Sequence, residues 1–220
     1  MLLMKLDWSQ SLSFTIPPGS TAATSGWILV DMPLAQFTPD QQRKFNIHEI
    51  TDPVMIEALT HLEYHVLDDG CVVKGGTVGD HSDEVHNHEN HLMAFPSIEP
   101  EHLPHFINAI KYVSKLECQA HFDEKFAALA PSQSTLEAST LPQQLAEAQA
   151  YMANQSYPTP LLSVLSQGSG MSVAELAQRA IDRNSAYEGQ KASLLSEMLG
   201  DMLEIDNCTT ALEVKQLGYI

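Results

Sequence analysis

Positive charge is scarce in this 220-residue chain: 11 lysines and arginines stand against 28 aspartates and glutamates, a formal net charge of −17. A surface that acidic repels phosphate backbones and anionic lipid, so neither nucleic acid nor membrane is expected as a partner. Apolar runs approaching the roughly 20 residues of a membrane span are also missing. The longest are Met1-Leu2-Leu3-Met4 and Trp27-Ile28-Leu29-Val30. Lys5 and Asp7 fall where a signal peptide would keep its apolar stretch, so a cytosolically made, unexported chain is expected. Cys71, Cys118 and Cys208 are odd in number and far apart, without the spacing of a zinc ribbon or redox pair. They are expected to be reduced and packed, with no disulfide framework. There is no Walker-type loop, Gly-x-Gly-x-x-Gly turn, Gly-x-Ser-x-Gly elbow or internal repeat, so no nucleotide site or serine nucleophile is signalled.

What is present points to an α+β fold. The apolar fraction, 44%, suits a globular chain with a core. Leu12, Phe14 and Ile16 alternate with Ser and Thr as in a strand, and Trp27 to Val30 reads as a buried strand. Thr38-Pro39 and Asp52-Pro53 each set a capping side chain before a proline at the first helical position. The second predicts a helix through Met55, Ile56, Leu59 and Leu62. Tyr64 to Leu67 and Cys71 to Val73 flank Asp68-Asp69-Gly70, the pattern of a β-hairpin. Residues 1–96 are thus expected to be a small strand-rich α+β domain with a His-rich loop at 75–91. Helical spacing of Leu103, Phe106, Ile107, Ile110 and Val113 predicts a helical segment over 97–130. Residues 131–140 have linker composition, and 141–220 should form a helical C-terminal part.

Within that last part, Thr159-Pro160 starts a short helix through Leu161, Leu162 and Leu165, ended by Gly168 or Gly170. Ser172 with Glu175, and Thr210 with Glu213, have the spacing of capping boxes. Between them Val173, Leu176, Ala180, Tyr187, Leu194 and Met198 form a stripe at intervals of three, four and seven, widened by Ile181, Leu195 and Leu199. Unbroken through Met202, that helix would be roughly 45 Å long; Gly189 offers a break into a helical hairpin instead. Such a stripe packs on something, either its own domain or a partner.

Residues 159–217 resemble a helical C-terminal module of tailed-bacteriophage tail proteins. The matching positions are Thr159, Pro160, Leu161, Leu162, Glu175, Leu176, Tyr187 and Cys208 to Leu217. The resemblance covers under a third of the chain, and Gly189-Gln190-Lys191 fits the module's Gly-Lys/Arg stretch only loosely. It implies a non-enzymatic structural or assembly component of a tail, associated with the baseplate or a tail fibre. The stripe residues Val173 to Met198 would then bind other tail proteins in a homo- or hetero-oligomer, formed in the host cytoplasm and carried into the virion. A tail-fibre assembly chaperone that leaves before the virion is complete fits the same resemblance.

One stretch has the composition for chemistry. Asp80 to His91 places His86, His88 and His91 close together, and imidazole suits transition metals. His86-x-His88-x-Asn90-His91 is similar to the His-x-His-x-Asp-His signature of metallo-β-lactamase-type hydrolases, whose metal activates water. Against a metal-dependent hydrolase stand Asn90 at the Asp position, a polar run where that motif ends a buried strand, and too few strands after it. In trimeric tail spikes and fibres, similar His-x-His pairs from three chains hold one axial metal. A solvated acidic loop that binds nothing is the third reading.

Overall fold

Two unbroken apolar runs make the centre of a sheet. In the computed structural model, which describes residues 1–6, 21–22, 26–62, 64–66, 72–74, 97–129 and 135–219, β1 (Leu2–Lys5), β2 (Thr21–Ala22), β3 (Trp27–Val30) and β4 (His48–Glu49) join in the order β2-β3-β1-β4. All pairings are antiparallel, with Leu2 opposite Val30 and Lys5 opposite Trp27. A strand without polar alternation needs both faces covered, and both are. Leu3, Trp27 and Leu29 enter one core; Leu2, Met4, Ile28 and Val30 enter a second with Leu6, Phe37 and Phe45.

The predicted helix starts are found at α1 (Pro39–Lys44) and α2 (Pro53–Leu59). Thr38 makes a full capping box with Gln41, and the Asp52 carboxylate accepts from the Val54 amide. The predicted hairpin pairs β5 (Tyr64–Val66) with β6 (Val72–Lys74), Val66 opposite Val72. Its turn, the Leu12–Ile16 alternation, Cys71 and the loop 75–91 lie outside the described residues.

The rest is helical, as expected of this α+β protein: α3 (Leu103–Leu129), α4 (Thr135–Ala153), α5 (Pro160–Ser169), α6 (Val173–Asn207) and α7 (Ala211–Gln216). The linker expected at 131–140 is corrected from 135 onward, where α4 begins. Ser and Thr are poor helix formers yet do not stop a helix, and Pro142 inside α4 removes a single amide donor. The hairpin option at Gly189 is also overturned, because α6 runs unbroken for 35 residues, about 50 Å.

Contacts divide the chain into a first unit, Met1–Cys118 with Asp201–Ile220, and a second, Gln119–Gly200. That partition differs from segments ending at 96, 130 and 140, and it splits the expected module 141–220. The physical reason is that the α+β core is unfinished without the C-terminus: Ala211 and Val214 of α7 are buried with Leu3, Leu59, Phe106 and Val113. The Lys215 ammonium also donates to the Val66 carbonyl at 3.0 Å.

Within the first unit, α3 is tied to the sheet by one carboxylate. Glu117 accepts from the Trp27 indole at 2.7 Å and faces Lys5 at 2.5 Å. Tyr219 donates to Asp201, and burial together with that bond pushes its phenol well above the usual range. Cys118 is buried and Cys208 half-buried, neither in a disulfide. Among the described residues no helix is long and apolar enough to cross a membrane.

Candidate functional site

The second unit explains why α6 has two different faces. Its core is small: Ala148 of α4, Leu162 of α5 and Ala177 of α6 are buried, with Tyr151, Leu165 and Ile181 packed around them. Val173, Leu176 and Ala180 pack on the same core. These three, expected to bind a partner, thus have an intramolecular contact and are half-buried, with part of each side chain still at the surface. Tyr187, Leu194 and Met198 continue that row and are half-buried.

Local capping sets where these helices begin. At α6 the Ser172 hydroxyl accepts from the Glu175 amide at 3.2 Å, while the Glu175 carboxylate accepts from the Ser172 amide at 2.8 Å. The Ser172 hydroxyl also donates to that carboxylate at 2.7 Å, and this bond, with the one from the Ser172 amide, holds the Glu175 carboxyl below its usual range. The same box recurs at Thr210 and Glu213. Gly170, left-handed at φ +71°, ends α5, and Gly168 is inside the helix. At α5 the capping group comes from elsewhere. Thr159 makes no side-chain cap bond; instead Glu147 of α4, 6% exposed, accepts from the Leu162 amide at 3.0 Å and the Leu161 amide at 3.3 Å. Burial pushes this carboxyl up, but the bonds from Leu162, Gln143 and Leu161 outweigh it and hold it below the usual range.

The exposed face of α6 lies one position on from the expected stripe. Leu195, Leu199 and Leu203 are 45, 56 and 61% exposed. Four-residue spacing puts them on one side of the helix. Ser196 and Gly200, exposed as well, lie alongside. A legible signal for this existed. The doublets Leu194-Leu195, Met198-Leu199 and Met202-Leu203 repeat every four residues, which makes two adjacent apolar rows where one suffices for the core.

His86, His88 and His91 lie outside the described residues. Among the described residues, no three His, Cys, Asp or Glu side chains form a group suited to a metal ion. A histidine cluster that the spacing did not foretell joins α2 to α3. His61 stacks on His102 with ring centres 4.7 Å apart and lies 5.7 Å from His105. Tyr64 meets Phe106 edge-on beside them, so these imidazoles serve as half-buried packing. An open dip on the first half of α6 is lined by Glu175, Gln178, Arg179, Asp182 and Arg183, charges of both signs from one helix.

No known protein family, curated protein or solved structure matches the chain.

Proposed function

We propose that the chain has no catalytic role and works by docking other proteins through α6, as a structural or assembly component. The observation that carries this reading is the row Leu195, Leu199 and Leu203, left in water on a continuous 35-residue helix. Burying such a side chain is worth about 1.5–3 kcal/mol, and contiguous exposed apolar surface is typical of interaction sites. The setting is a bacteriophage tail, at the baseplate or a tail fibre, with other tail proteins as partners; the support for that is the resemblance of residues 159–217.

The test combines two measurements. Mass spectrometry of purified particles from cells expressing the chain should find it among the tail proteins, or among assembly intermediates alone if it acts as a chaperone. Leu199→Ser with Leu203→Ser should leave the fold intact by circular dichroism and remove the chain from both. A wild-type chain absent from every tail complex, or a variant that still assembles, would overturn the proposal.

A further inference from the structure

We draw no further inference here: the strongest candidate, the exposed leucine face on the second half of α6, carries nothing because no charge or packing feature among the described residues shows what covers it.

Discussion

Removing Glu147 should unfasten α5 from the second unit. The short helix has few means of its own: ten residues are marginal in isolation, Thr159 gives no side-chain cap, and Leu162 is its one buried side chain. Glu147 supplies what is missing by accepting from the Leu161 and Leu162 amides and from the Gln143 side chain. In Glu147→Ala the Leu162 amide, next to the buried Leu162 side chain, loses its acceptor. Orphaned buried donors and lost caps are each worth about 1–3 kcal/mol, so a loss of about 2–3 kcal/mol is expected. For a unit of roughly 80 residues that lowers the melting temperature by about 10–20 °C. Glu147→Gln should lose about half as much. Its amide has one oxygen, so it meets either the Leu162 amide or the Gln143 amide with a donor facing a donor.

Acid gives the sharper check. The folded carboxyl titrates below its ordinary value of 4.5. The stabilisation from its charge is therefore present in full above that value and is lost as pH falls through the depressed folded value. Melting curves of wild type and Glu147→Gln should stay a fixed distance apart above about pH 5 and converge below it. Hydrogen exchange at the Leu161 and Leu162 amides reports the same loss locally. A Gln variant as stable as wild type at neutral pH, or a gap that persists in acid, would refute the reasoning.

Three further substitutions probe the first unit by chemical denaturation. Gly26→Ala should destabilise by about 1–3 kcal/mol, since Gly26 sits at φ +86° and a Cβ would stand 2.6 Å from the Leu6 carbonyl oxygen; a neutral result would show that this backbone can shift. Glu117→Ala should cost about 1–3 kcal/mol by orphaning the Trp27 indole donor, and Glu117→Gln, which keeps an acceptor, should recover much of it. Ser114 is fully buried and its hydroxyl has no hydrogen-bond partner among the described residues, so Ser114→Ala should be neutral or stabilising by up to about 1 kcal/mol; a clear loss would reveal a partner for that hydroxyl.

What was legible in the sequence was local. Thr38, Asp52, Ser172 and Thr210 announce helix starts because a cap needs only a side chain within three residues of the amides it serves. The hairpin followed from two β-rich runs around a turn signal. What escaped depends on distance along the chain. Glu147 caps a helix thirteen residues downstream, and no spacing rule links a carboxylate on one helix to the first amide of the next. Met1 to Met4 was visible only as an apolar run, yet it is a central strand, because Leu2 opposite Val30 is a long-range pairing. The return of α7 to the first unit's core is another contact of that kind. Apolar periodicity on α6 showed that the helix packs, but an exposed leucine and a buried one have the same hydrophobicity. Only the positions of α4 and α5 separate Leu176 from Leu199.

The two interior glycines of α6 carry that distinction one step further. Glycine within a helix is about 0.8–1 kcal/mol less favourable than alanine, and the deficit is tolerated without consequence only where a neighbour needs the space. Among the described residues none does, since a Cβ at Gly189 or Gly200 meets nothing within 4 Å. Both positions are exposed, and they are far enough apart to act independently. Gly189→Ala and Gly200→Ala together should therefore stabilise the centre of α6 by about 1.5–2 kcal/mol, read as slower amide exchange between residues 185 and 204. Faster exchange would mean that a methyl group at one of these sites collides with something, and that the face treated as open is already packed. If exchange does slow, both sites are open among the described residues, and the two alanines act through helix propensity alone.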